Sequence, residues 1–263
     1  MGTRRQTDMA DELFGRAAHP PAGVRMVTAR TGGVCITRVQ ISREGLARPR
    51  GRYVTLEVPS VALLDERDEA VIEAAAAELR ALLPAEGLIL AVGVGNRRIT
   101  ADALGPRAVH KLLVTRGAAG GLPLPGLREV AAIAPGATAA TGIALESLVQ
   151  ALVQQMRPAA VLCIDSLCSA EPQRLGRTIQ FSDTGLCPAA PAGPRTLTRE
   201  NLGVPVIAAG IPTLTESRES SALVLVPRAL DSVIAHGAAL LGAAANRALQ
   251  PNFTLAQLCY LAN

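Results

Sequence analysis

An α/β fold, with a mostly parallel twisted sheet flanked by helices, is predicted by three features of the sequence. Two apolar runs, 88–92 and 159–164, have the length and composition of strands buried on both faces. Segments with apolar residues at helical spacing alternate with the strand-like runs, the pattern of right-handed βαβ units. Hydrophobic residues make up 49% of the 263-residue chain and aromatics only 2%, so the core is drawn from Ala, Val, Leu and Ile. The length suits one large domain, or a domain with an appendage.

The elements follow in order. Residues 1–24 are polar, contain Pro20-Pro21 and carry no periodicity, and read as a leader or arm ahead of a single domain over 25–263. Residues 33–41 and 52–58 alternate as strands do, with an Arg/Pro/Gly turn region between them. A helix begins at Asp65, with Val71, Ile72, Ala75, Leu79, Leu82 and Leu83 on one face, and Pro84 stops it. The run 88–92 breaks at Gly93-Val94-Gly95-Asn96, residues suited to a tight turn. Thr100-Ala101-Asp102 then leads into a helical pattern ending near Arg116-Gly117, and 117–128 is a Gly/Pro-rich connection. A strand over 129–134, a Pro-Gly turn and a helix over 143–156 come next. Strand 159–165 ends in Asp165, and strand 178–182 runs into Asp183-Thr184-Gly185. After a Pro/Ala/Gly-rich loop at 187–203, strands at 204–209 and 222–226 precede a long Ala/Leu helix opened by Pro227.

Charge and motif content narrow the function classes. The net charge is +4, nearly all of the positive charge is arginine, and Lys111 is the only lysine. The first 52 residues carry ten arginines against Asp8, Asp11, Glu12 and Glu44. That basic stretch reads as a solvated extension; an arm contacting nucleic acid or an acidic protein is the alternative, and no direct nucleic-acid binding is expected. Five cysteines without a C-x-x-C pair indicate neither a disulfide framework nor a zinc site. No metal or other cofactor is therefore expected. No apolar run approaches a membrane span and the N-terminus lacks a signal-peptide core, so the expectation is a soluble cytoplasmic protein. A phosphate-binding P-loop is absent, and the third glycine of a dinucleotide fingerprint would fall at Arg98.

What remains is a pair of carboxylates. Asp102 and Asp165 each follow a buried-type strand, and in a parallel sheet those strand ends line the edge where ligands bind. Two carboxylates held close share a proton, so one can activate water while the other protonates a leaving group. Each aspartate has a plainer reading as a turn or helix cap. Asn96 follows the turn glycines, where it either bonds a substrate backbone or satisfies its own turn. Asp183 and Thr184 either shape the site or form an Asx-type turn. Arg97, Arg98 and Arg116 are candidate attractors of acidic substrate groups, and Cys163 and Cys168 read as core packing.

Several ordered motifs carry a specific resemblance. They are Gly93-Val94-Gly95-Asn96 with T-A-D-A-L-G-P at 100–106, L-L-V-T-R at 112–116, A-I-A-P-G at 132–136 and T-G-I at 141–143. I-D-S-L at 164–167, F-S-D-T-G at 181–185 and L-G-V-P-V-I-A-A-G-I-P-T at 202–213 complete the set. Together, from about Gln6 to Asp231, the chain resembles the germination protease family of spore-forming bacteria.

The resemblance implies an atypical aspartic endopeptidase with a fold like that of the hydrogenase maturation proteases. It implies a zymogen that assembles as a tetramer (a tetramer or dimer is expected here) and degrades small acid-soluble spore proteins in the spore core during germination. Its proposed catalytic aspartates correspond to Asp102 and Asp165; the place of Asp102 near an expected helix start, apart from the resemblance, assigns it as the base of the two. Asn96, Asp183, Thr184 and Arg116 are the associated substrate-binding candidates. Family substrates are cut after an acid in a Glu–apolar–Ala–x–Glu context, which residues 8–12, Asp-Met-Ala-Asp-Glu, imitate. Residues 1–24 then hold a short propeptide, and self-cleavage is expected between Asp8 and Met9. Two departures accompany the match. A family histidine stands here as Cys187 within a loop that is Ala/Pro-rich instead of Gly-rich, and little sequence separates Thr213 from Leu230. The altered loop favours the alternative, a catalytically silent sporulation protein of the same fold that binds a partner.

Overall fold

The computed structural model describes residues 7–15, 20–65, 67–117, 126–186, 196–217 and 223–262. Nine strands form one mixed sheet: β1 (Val24–Thr31), β2 (Val34–Ile41), β3 (Gly51–Glu57), β4 (Ile89–Gly93), β5 (Val130–Ile133), β6 (Ala160–Cys168), β7 (Thr178–Ser182), β8 (Val206–Glu216) and β9 (Val224–Leu225). Their spatial order is β1-β2-β3-β7-β8-β6-β4-β5, with β9 on the end of β8. The expected α/β class and helix-flanked sheet are present. Parallel pairing is confined to β5-β4-β6-β8, and an antiparallel wing, β8-β7-β3-β2-β1, makes the sheet mixed rather than mostly parallel.

One face of the sheet carries the larger core. Helices α2 (Glu69–Leu82), α3 (Leu104–Val109) and α7 (Leu230–Leu249) cover Ile36, Leu56, Phe181, Ile211, Ile164 and Ala91 there. The apolar residues of α2 recur at i, i+3, i+4 and i+7, so one stripe is buried. Alanines along α7 let it lie close to both α2 and α3. On the opposite face, α5 (Leu145–Met156) and α6 (Arg199–Leu202) pack Leu145, Val149, Val153 and Leu202 against Val92, Val161 and Cys163. Further along the same face, α1 (Ala10–Phe14) packs Ala10 and Phe14 against Val39, Ile41 and Tyr53. Two short helices, α4 (Thr138–Thr141) and α8 (Leu255–Ala262), complete the set. Among the described residues no helix is long and apolar enough to cross a membrane.

Several elements differ from the sequence expectation. Strand β1 lies almost wholly in 25–32, to which the sequence alone assigns no element, and hydrogen bonding to β2 over its whole length makes it a strand. Strand β6 runs three residues beyond Asp165, because β8 runs on to Glu216, well past its expected end at 209, and pairs with it as far as Leu214. The helical pattern expected up to residue 116 yields only a 3-10 turn at Thr100–Asp102 followed by the six residues of α3. Asn246 of α7 ends that helix: its Oδ1 accepts the Leu113 N–H at 2.8 Å and its Nδ2 donates to the Lys111 carbonyl at 2.9 Å. The chain then returns to the amino end of the parallel strands, where Thr115 and Arg116 both donate to the Val130 carbonyl at 3.0 Å. The leader, finally, is not an unstructured arm over residues 7–15: Met9 and Ala10 are fully buried.

Candidate active site

Strand pairing brings the two expected aspartates to one edge of the sheet. β4 ends at Gly93 opposite Ile164 of β6, and the Val94 N–H donates to the Ile164 carbonyl at 2.8 Å. Asp165 is the next residue of β6, so it lies just past the end of β4 and pairs with Gly210 of β8 on its other side. It is buried, and its Oδ1 accepts the Ser166 N–H at 2.8 Å. The β4–α3 connection then folds Asp102 onto this edge. The Asn96 N–H is shared between the Asp102 carboxylate, at 2.9 Å, and the Asp102 carbonyl, at 3.0 Å. Thr213 of β8 donates its hydroxyl to the Ala101 carbonyl at 2.8 Å, tying the same turn to the neighbouring strand.

Two glycines permit this approach. Gly95 has φ +124°, in the region that favours glycine, and a Cβ there would meet the Asp102 carbonyl oxygen. Gly105, in the first turn of α3, lies so close to β4 and β6 that a Cβ would collide with the carbonyl oxygens of Ile164 and Val94. The thiols beside Asp165 are inert packing groups. Burial, and secondarily the charge of Asp165, pushes Cys163 upward, and burial with the charges of Asp8, Glu216 and Glu12 pushes Cys168 up to about 12.

The N-terminal segment docks on the same sheet face as Asp165, within two strands of it. Gly210, opposite Asp165, pairs in turn with Gln180 of β7. The Gln180 side chain grips the segment's backbone, Nε2 donating to the Asp8 carbonyl at 2.7 Å and Oε1 accepting the Ala10 N–H at 3.1 Å. Asp8 and Cys168 form a reciprocal pair: the Asp8 N–H donates to the Cys168 carbonyl, and the Cys168 N–H to Asp8 Oδ2, both at 2.8 Å. Arg48 Nη2 donates to the Asp8 carbonyl at 3.1 Å and stands 3.7 Å from its carboxylate. Arg174 Nη2 donates to Asp11 Oδ2 at 2.6 Å, and Thr55 donates to Asp11 Oδ1 at 3.1 Å. Glu12 accepts from the Ser169 hydroxyl, from the Thr7 hydroxyl at 2.6 Å and from the Ala170 N–H at 2.8 Å.

Burial raises the Glu12 carboxyl above its usual range, against the opposing pull of those hydrogen bonds and of Arg174. Docking therefore favours protonated Glu12. Its contribution is present at low pH and is lost as pH rises through the raised value. Melting temperature, referenced to a Glu12→Gln chain at each pH, is expected to decline from pH 5 to pH 8. A slope of the opposite sign would refute the assignment.

The remaining expected residues are placed differently. Asn96 contributes its backbone to Asp102, while its side-chain Oδ1 accepts the Arg98 N–H at 3.0 Å within its own turn. Asp183 engages Arg52, accepting the backbone N–H and Nε, each at 2.7 Å, and so fixes β7 against β3. Thr184 donates to the Ser182 hydroxyl at 3.4 Å. Arg116 is exposed at the amino edge of the parallel strands, the end away from both aspartates, because α3 is short and the chain turns back. Cys187 and the rest of its altered loop, 187–195, lie outside the described residues. Sequence reasoning missed Arg48, Arg174 and Gln180. Only Gln180 carried a signal, a polar side chain within the apolar β7 run Thr-Ile-Gln-Phe-Ser.

Comparison with known proteins agrees with the motifs. The family model for germination protease matches residues 9–252. The germination protease of Clostridium acetobutylicum is 36% identical over 210 residues, covering 74% of this chain and 64% of that one. That of Clostridium perfringens strain SM101 is 39% identical over 196 residues, covering 69% and 60%. That of Caldanaerobacter subterraneus is 38% identical over 228 residues, covering 81% and 69%. The chain thus spans 60–64% of the length of the two clostridial relatives. Among solved structures, the [NiFe] hydrogenase maturation protease HycI of Thermococcus kodakarensis aligns with TM-score 0.39 at 12% identity, over 64% of this chain and 98% of its own.

Proposed function

From the premise that the chain belongs to the germination protease family, we propose that it is an endopeptidase acting on small acid-soluble spore proteins in the spore core, with Asp102 and Asp165 activating water. The observation that carries this reading is the meeting of the β4–α3 turn with the open side of β6, which gathers both aspartates at one strand edge. Asp102 acts as the base that takes a proton from water. Asp165, buried at the strand edge, holds the proton that goes to the leaving amine. Asn96 positions Asp102 through its backbone amide. Asp183 and Thr184 support the site at one remove, by fixing β7 beside Gly210 and Asp165. Self-association belongs to the same reading, and the exposed apolar run Leu223, Val224, Leu225 and Val226 at the edge of the sheet is a surface suited to it.

In this reading residues 7–12 act as an inhibitory segment before processing. Hydrolysis of the bond between Asp8 and Met9 requires the segment to leave its seat, since both residues are buried. Incubation of the purified chain with a small acid-soluble spore protein is expected to yield substrate fragments. Intact-mass analysis of the same sample should show a shortened chain beginning at Met9. A product beginning elsewhere, or digestion with no shortening, would refute the processing step. No digestion at all would refute the peptidase reading.

A further inference from the structure

We infer that a polypeptide substrate binds as an added strand along the open edge of β6, giving one of its main-chain N–H groups to the Ser166 carbonyl, next to Asp165. The identity of the occupant rests on the peptidase reading; the edge and its hydrogen-bonding groups do not. Main-chain groups of β6 alternate between its two neighbours. The Ile164 carbonyl goes to the β4 side, accepting the Val94 N–H at 2.8 Å, whereas the Val161 N–H donates to Pro205, just ahead of β8, and the Ser169 N–H to Leu214 within it. Even-numbered positions thus face β4 and odd-numbered ones face β8. β4 stops at Gly93, opposite Ile164, while β6 runs on to Cys168 with β8 still paired on its far side. Ser166 and Cys168 therefore turn their main-chain groups toward a side that β4 has vacated.

Both positions show what that side accepts. The Ser166 N–H, past the end of β4, closes back on its own neighbour, donating to Asp165 Oδ1 at 2.8 Å. At Cys168 another stretch of the chain has taken β4's place, and the carbonyl accepts a main-chain N–H, that of Asp8, at 2.8 Å. Successive positions facing one side of a strand are about 6.6 Å apart, so Ser166 supplies the one repeat between Val94 and Asp8. A strand edge that still presents main-chain groups is a template for a further strand. The outer edges of the sheet, β1 and β5, are templates of the same kind. Only the β6 edge adjoins both aspartates, since Asp165 precedes Ser166 and the turn bearing Asp102 packs on β6.

The test joins kinetics to a spectroscopic label on the full chain. Peptides covering a cleavage site of a small acid-soluble spore protein are each N-methylated at one amide outside the scissile bond. One position should lower kcat/KM by about 10-fold, and the positions on either side of it by about 2-fold or less. That is the period-two sensitivity of a strand held along one edge, on the scale of a lost main-chain hydrogen bond. Labelling serine carbonyls with 13C and leucine amides with 15N gives paired signals from Ser147-Leu148 and Ser166-Leu167 alone. In an Asp102→Asn chain, which holds the peptide without turnover, the parent peptide should move the Ser166 carbonyl signal and leave that of Ser147, in α5, unmoved. The peptide methylated at the sensitive position should move neither. The kinetic scan uses the unmodified chain, so it decides the matter if the variant fails to fold. Cleavage without the alternating pattern, or a Ser166 signal indifferent to bound peptide, would overturn the inference. A Ser166 shift without cleavage by the unmodified chain would fault the peptidase reading alone, and neither shift nor cleavage would fault both.

Discussion

Cleavage of a small acid-soluble spore protein is expected to fall by about 10²–10⁴-fold in an Asp165→Asn chain, the range over which a positioned acid or base contributes. Asp102→Asn should lose as much. Both substitutions keep volume and one acceptor oxygen, so the Ser166 N–H bond to position 165 and the Asn96 N–H bond to position 102 survive. Each removes the ability to gain or release a proton. Melting temperature should therefore remain within a few degrees of the parent while initial rates collapse. The double variant should be scarcely slower than either single one, because two groups that share one proton transfer act as a unit. Normal turnover in either single variant would exclude a mechanism through this pair.

The second large effect is expected at Gly105. A Cβ there has no flexible side chain to push aside; it meets the carbonyl oxygens of Ile164, within β6, and of Val94, just past the end of β4. Gly105→Ala should destabilise the fold by about 1–3 kcal/mol or more, the cost of forcing a methyl into a packed backbone contact. For a chain of this size that corresponds to roughly 2–12 °C in melting temperature. The displaced α3 carries the Asp102 turn with it, so activity should fall even at temperatures where the variant remains folded. A variant with parental melting temperature and rate would show that the close approach is not what seats Asp102.

The strand–turn–helix around Asp102 and the strand bearing Asp165 were legible because their signals are local: an apolar run, a glycine turn, a carboxylate. Element ends were less legible, since partners far away in the chain decide them. β6 continues past Asp165 because β8 does, and α3 stops because Asn246, 133 residues later than Leu113, takes its next amide. That early stop is also why Arg116 lies at the edge of the sheet away from both aspartates. The leader illustrates the point most fully. A polar stretch without periodicity reads as solvated, yet Asp8, Asp11 and Glu12 are paid for by Arg48, Arg174 and Ser169, and nothing local announces those partners.

The docking of Asp8 against Cys168 has a consequence for the order of events during synthesis. The two residues are 160 positions apart, so at about 5–20 residues per second a ribosome needs roughly 8–32 s between them. Throughout that interval the N-terminal segment has no seat. Asp165 emerges only three residues before Cys168, and Gln180 follows shortly after, but β6 and β7 are joined only through β8, so the seat of the segment is completed when Gly210 is made. A nascent chain therefore carries its N-terminal segment undocked through most of its synthesis, and the segment settles only as the strands that hold it are made.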